Sequence, residues 1–139
     1  MAAFDLRLKM LRIILQETFN NPDNIIVSRI ENTLRHSTDK PIYSYTLLCS
    51  LLADALSHGQ QAEYRLVLGP DNLEEQQWSR FFRHQDIAQQ FGVLAVKQRL
   101  SVRSTPLRAL LQRHDTPPTL QPQVGQKLGK FLRHNNPYV

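Results

Sequence analysis

The chain has 139 residues, 41% of them hydrophobic, and a formal net charge of +5; such a chain fits one domain and can bury a core, which sets it apart from a disordered tail. No window approaches the ~18 apolar residues needed to cross a bilayer, and Asp5, Arg7, Lys9 and Arg12 interrupt the first apolar cluster, which excludes the apolar stretch of a secretion signal. Cys49 is the single cysteine, so no internal disulfide can form, and a reducing, cytoplasmic location is expected.

Residues 4–19 read as a helix. Phe4, Leu8, Leu11, Leu15 and Phe19 recur at steps of three and four, and Met10 and Ile14 widen the stripe. Asn20-Asn21-Pro22-Asp23 stops it, and Asp23 or Asn24 caps a second helix that runs to about Arg35 and buries Ile26, Ile30 and Leu34. Pro41 suits the first turn of a third helix, where its missing N–H costs nothing. That helix carries the most apolar run of the chain, Leu47 to Leu56, and Gly59 ends it by entering the left-handed region.

Tyr64 to Leu68 alternates enough for a short strand, and Gly69-Pro70 breaks it. Asp71 with Glu74 approximates a capping box that opens a fourth helix through Trp78, Phe81 and Phe82. These three aromatics read as a packing anchor or, if exposed, as a partner-binding patch. Asp86 to Phe91 is a further short helix ending at Gly92. The stretch 86–93 resembles the first helix and turn of the bacterial repressor-type motif, although Val96 and Leu100 fall about two positions early for a recognition helix. Residues 93–102 are strand or helix. Thr105-Pro106 then opens a helix with Leu107, Leu110 and Leu111 inward, and Pro122 opens a last one with Val124, Leu128, Phe131 and Leu132 on one face.

The expected architecture is therefore mainly α: a compact bundle of five to seven short helices with room for one small β-hairpin between Tyr64 and Leu100, and winged-helix-like elements in the C-terminal half. It forms a single domain over 1–139, with a sub-boundary near 93–104 and a basic helical unit at 105–135.

Charge is distributed unevenly. From Lys97 onward there are eight Lys or Arg residues against one acid, Asp115, a net of +7, whereas residues 1–96 hold nine basic and eleven acidic side chains, a net of −2. Such a gradient points to a polyanion or an acidic partner at the C-terminal end. On the last helix Lys127, Lys130 and Arg133 recur every three residues beside Gln123 and Gln126. Lysine and arginine suit phosphates and glutamine suits base edges, while Gly125 and Gly129 permit close backbone approach. Lys97, Arg99, Arg103, Arg108 and Arg113 extend the positive surface.

The catalytic motifs sought are absent from the sequence: no GxSxG, no P-loop, no GxGxxG and no CxxC occurs. The five histidines are dispersed without the i, i+4 spacing of a helical zinc site, so no metal or other cofactor is expected. Cys49, among leucines, reads as a structural thiol, and Glu74-Glu75 as a first-turn pair favoured by the helix dipole. The resulting expectation is a non-enzymatic nucleic-acid-binding regulator or accessory factor of bacterial or phage type. Duplex DNA is favoured over RNA, and the N-terminal helices offer a homodimer surface. The alternative is a helical adaptor or complex subunit whose basic end docks an acidic protein.

Overall fold

A computed structural model of the chain describes residues 3–97, 104–112 and 124–135. It is mostly helical with one small parallel sheet, and it divides into two compact units: residues 1–28 with 101–139, and residues 29–100. Among the described residues no helix is long and apolar enough to cross a membrane.

The first unit holds α1 (Phe4–Phe19), α7 (Ser104–Gln112) and α8 (Gln126–His134). Leu111, Leu128 and Leu132 form its core, with Met10, Ile13, Ile14, Leu107, Val124 and Phe131 packed around them. Fully burying each such leucine contributes roughly 1.5–3 kcal/mol. Helix α1 spans the expected residues but is turned from the expected stripe. Leu8 is buried and Met10, Ile13 and Ile14 face the core, while Leu11 and Phe19 are 47% and 51% exposed. Its end follows from Asn20 and Asn21, both left-handed (φ 53° and 50°), and the Asn21 N–H donates to the Leu15 carbonyl at 3.1 Å, six residues back.

The expected helix from Asp23 to Arg35 is shorter than its pattern. Residues 25–29 carry no regular structure, α2 occupies Ile30–Ser37 in the second unit, and Ile26 is 84% exposed. The correction has a local cause: Ile25, Ile26 and Val27 are three consecutive β-branched residues, which resist a helical start.

In the second unit α3 (Ser44–Ser57) buries Leu48 and Ala55. It starts after Pro41 rather than on it, and left-handed Gly59 (φ 67°) follows its end as the sequence suggests. Strand β1 (Leu66–Leu68) pairs with β2 (Val93–Ala95) in register Leu66↔Val93, Val67↔Leu94 and Leu68↔Ala95. The pairing is parallel, which overturns the expected hairpin and leaves no hairpin wing among the described residues. A hairpin needs a short turn; here residues 69–92 carry α4 (Pro70–Leu73), α5 (Glu75–Trp78), α6 (His84–Asp86) and a π-helical turn (Ile87–Phe91), which return the chain in the same direction. The fourth helix is likewise not continuous, because Glu74 adopts an extended ψ of 135° between α4 and α5.

The π-turn closes when the Gly92 N–H donates to the Ile87 carbonyl at 2.8 Å, with Gly92 at φ 84°. Ile87 is completely buried and anchors this turn. The segment that resembles a repressor motif thus leads into β2, where that motif would place a second helix.

Candidate functional site

Open sheets of parallel strands present their ligand sites at the carboxyl ends of the strands, where the following loops diverge. In this chain β1 ends at Leu68 and gives way to Gly69-Pro70, and β2 ends at Ala95 and gives way to Val96-Lys97. Between them lies a cavity of about 680 Å³ lined by Pro70, Leu73, Glu74, Ala95, Val96 and Lys97. It is a shallow depression, largely open to solvent. Its lining is mainly apolar, and Glu74 and Lys97, both exposed, are its charged lining side chains. The Val96 N–H donates to the Leu68 carbonyl at 3.0 Å and holds the two strand ends together under the cavity.

A second recess of about 310 Å³, in the same unit, is lined by Ile42, Tyr43, Ser44, Gln77, Arg80, Phe81 and Phe82. Its aromatic wall is built by stacking: Tyr43 and Phe82 lie 4.7 Å apart between ring centroids. Trp78 meets Phe81 at 5.3 Å and His84 at 5.8 Å. Tyr45 supports the wall from behind, edge-on to Phe82 and Phe91.

Tyr45 is itself tied into a polar cluster. Its hydroxyl donates to Gln90 Oε1 at 3.3 Å, and the Arg83 guanidinium lies 4.4 Å from the centre of its ring. A hydrogen bond with the Cys49 thiol, and burial, push the Tyr45 hydroxyl above its ordinary value of 10.0 despite the positive charge of Arg83. Arg83 donates from Nε to Asp86 Oδ2 at 2.6 Å, and that carboxylate raises the guanidinium pKa further. Arg83 holds a left-handed backbone (φ 55°), which a side-chain-bearing residue adopts at a cost of about 1–2 kcal/mol. Contacts with Asp86 and Tyr45 offset that strain.

The residues singled out by sequence divide among these places. Lys97 stands at the strand-end cavity. Trp78 and Phe81 are half-buried in the aromatic wall, and Phe82 is 48% exposed on Tyr43. Arg108 is exposed on α7, and Gln126, Lys127, Lys130 and Arg133 are exposed on α8, in the other unit. Arg99, Arg103, Arg113 and Gln123 lie outside the described residues.

The amino end of α8 is closed from within the chain. Glu17 on α1 accepts the backbone N–H of Lys127 with both carboxylate oxygens, at 3.0 and 3.1 Å. Backbone N–H groups of Lys127, Gln126 and Leu128 hold its pKa below the ordinary 4.5 against a smaller opposing effect of burial. Gly125, read from the sequence as admitting another backbone or a phosphate, lies against this carboxylate instead: it sits at φ 85°, and a Cβ there would come within 2.7 Å of Glu17 Oε2. Gly129 is buried.

Sequence reasoning missed Glu74, Pro70, Tyr43 and Arg80 as site residues. The sequence pattern reads Glu74 as a first-turn acid of one helix, whereas the structure places it in the break between two. The available signal was the alternation 64–68 followed by Gly69-Pro70, a strand end turning into a helix. Among the described residues no three His, Cys, Asp or Glu side chains gather as metal ligands.

No protein-family model and no curated protein matches the chain. Its fold is similar to the crystal structure of a protein assigned as a nicotinate-nucleotide adenylyltransferase from Vibrio parahaemolyticus. The TM-score is 0.71 at 19% sequence identity, and the match covers 93% of this chain and 73% of that one. This likeness overturns the expectation of a non-enzymatic DNA-binding regulator, and with it the helical-adaptor alternative. The helical pattern is shared with the fold of a nucleotide-handling enzyme, and its sheet is a parallel crossover unit absent from both readings.

Proposed function

We propose that this chain is an enzyme of nucleotide chemistry that transfers an adenylyl group from ATP to a nucleotide acceptor bearing an aromatic acid, such as nicotinate mononucleotide. The observation that carries the reading is the fold likeness over 93% of the chain, together with a cavity at the carboxyl ends of β1 and β2, where such folds take their ligands. A cytoplasmic setting belongs to the same reading, since Cys49 has no second cysteine to pair with.

The chemistry explains why no nucleophile and base were legible. The acceptor's own phosphate is already anionic at neutral pH, so its oxygen attacks the α-phosphorus of ATP directly. The new bond is the phosphoanhydride of a dinucleotide, and the bond to pyrophosphate breaks. Such a transfer asks the protein for positioning and charge stabilisation rather than covalent catalysis. Lys97 would neutralise phosphate oxygens at this depression, which Leu73, Ala95 and Val96 also line. The recess of Tyr43, Phe81 and Phe82 offers a planar heterocycle an aromatic wall, with Arg80 beside it for a carboxylate.

Pyrophosphate release from magnesium-complexed ATP tests the reading. Release that requires both ATP and nicotinate mononucleotide supports it, whereas no release above the protein-free control with both present, or release that does not depend on the acceptor, overturns it.

A further inference from the structure

Helix α1 carries apolar side chains on two sides. Met10 and Ile13 pack against the core of the first unit, and Glu17 receives the Lys127 N–H. On another side Leu11, Leu15 and Phe19 recur about one helical turn apart. With Ile25, Ile26 and Val27 from the irregular segment that follows, they line a groove of about 390 Å³. The groove lies wholly within residues 1–28, part of the first unit, whereas the strand-end cavity and the aromatic recess belong to the second. Leu11, Phe19 and Ile25 are exposed, and Ile26 most of all. Together these four leave on the order of 400 Å² of largely apolar surface in water, a size that marks an interaction site. A standard interface buries roughly 800 Å² on each partner, a little over half of it apolar, so this face supplies most of the apolar share of one.

The charges around the groove indicate what covers it. Lys9 and Arg12 are exposed on α1 before its carboxyl end, and Asp23 is exposed beyond that end. Over residues 4–28 the basic Arg7, Lys9 and Arg12 balance the acidic Asp5, Glu17 and Asp23, although the whole chain carries +5. A strongly acidic or strongly basic partner finds no opposite excess here. A second copy of the chain does find a match, in one orientation. With a two-fold axis at Leu15 and the helices antiparallel, Leu11 meets Phe19 of the second copy, the basic stretch of α1 approaches Asp23 of the second copy, and the helix dipoles oppose. A parallel arrangement would set like charges side by side.

We propose that this groove is a homodimer interface, in which two copies pack α1 against α1 antiparallel about Leu15 and each Ile26 is buried on the other copy. The interface goes beyond the adenylyl-transfer reading and does not depend on it.

Sedimentation equilibrium of the intact chain, from micromolar to near-millimolar concentration, tests it on the wild type, Ile26→Glu, Arg12→Glu, Asp23→Arg and the double variant Arg12→Glu/Asp23→Arg. All three residues are exposed in the single chain, so the variants keep its fold, which circular dichroism checks. The wild type forms a reversible dimer and nothing larger. Ile26→Glu weakens association at least about a hundredfold, because each carboxylate must be stripped of water. Each single charge reversal weakens it about tenfold, since symmetry repeats the repulsion, and the double variant recovers to within about threefold of the wild type. A wild type that stays monomeric, assemblies that grow past the dimer, or a dimer that Ile26→Glu leaves intact overturns the proposal. A double variant no tighter than the single ones overturns the antiparallel packing. None of these outcomes touches the adenylyl-transfer reading, which stands or falls on pyrophosphate release.

Discussion

Glu17 and Lys127 are separated by 110 positions in sequence, yet the Glu17 carboxylate receives the Lys127 backbone N–H through both oxygens. The contact fixes α8 against α1 and satisfies amide donors that a helix start leaves open. It also bears on why residue 125 is glycine: its positive φ strains any side chain, and a Cβ there would displace the Glu17 carboxylate from the helix start. Gly125→Ala therefore destabilises the chain by about 2 kcal/mol, read as a shift of the urea midpoint, and Glu17→Ala lowers Tm by a few degrees.

The same carboxylate sets a pH dependence. Its folded pKa lies below the ordinary 4.5, so its stabilising contribution is complete above that value and is lost as pH falls through the depressed one. In acid titrations followed by circular dichroism, Glu17→Gln loses less stability below pH 4.5 than the wild type does.

Arg83 supplies a test that separates backbone strain from side-chain contact. Both Arg83→Ala and Arg83→Gly remove the Asp86 and Tyr45 contacts, but glycine accepts φ 55° without the Cβ clash. Arg83→Gly accordingly melts a few degrees above Arg83→Ala. Equal melting temperatures would mean that the backbone stores no strain there.

Ile87 is the fully buried side chain beneath the π-turn. Ile87→Ala costs about 3 kcal/mol from lost burial and a residual cavity, measured by urea unfolding. Because Gly92 hydrogen-bonds to Ile87 and its carbonyl receives the Leu66 N–H, the β1–β2 ladder loosens with it, and the amide of Leu66 exchanges faster.

Legibility in the sequence followed the range of the interactions. The bounds of α1, the left-handed Gly59 and the stop at Gly92 were readable because a helix stripe and a glycine end are local matters. The parallel pairing of Leu66 with Val93 was not, since alternation at 64–68 says nothing about the direction of a partner that lies beyond several short helices. Ile26 showed the limit of counting apolar positions: its spacing suits a helix, but three β-branched neighbours do not. At the site, Lys97 stood out through the charge gradient. Glu74 did not, because its place depends on a break in the backbone that the Asp71–Glu74 pattern conceals. An absence of catalytic motifs does not count against the proposed reaction, because nucleotidyl transfer between two phosphates needs no nucleophilic side chain.

Lys97 is the described cation at the strand-end cavity. On the adenylyl-transfer reading, Lys97→Ala raises the KM for ATP about tenfold while kcat stays within about threefold, the pattern of a lost binding contact. A larger effect on kcat than on KM would place Lys97 at the transferring phosphorus itself.

The most direct measurement follows ATP labelled on its α-phosphate when it is incubated with the chain and nicotinate mononucleotide. Label appearing in a dinucleotide, in amounts equal to the pyrophosphate released, is the result expected of an adenylyltransferase. Label that remains in ATP, or passes only to AMP or ADP without a dinucleotide, contradicts it.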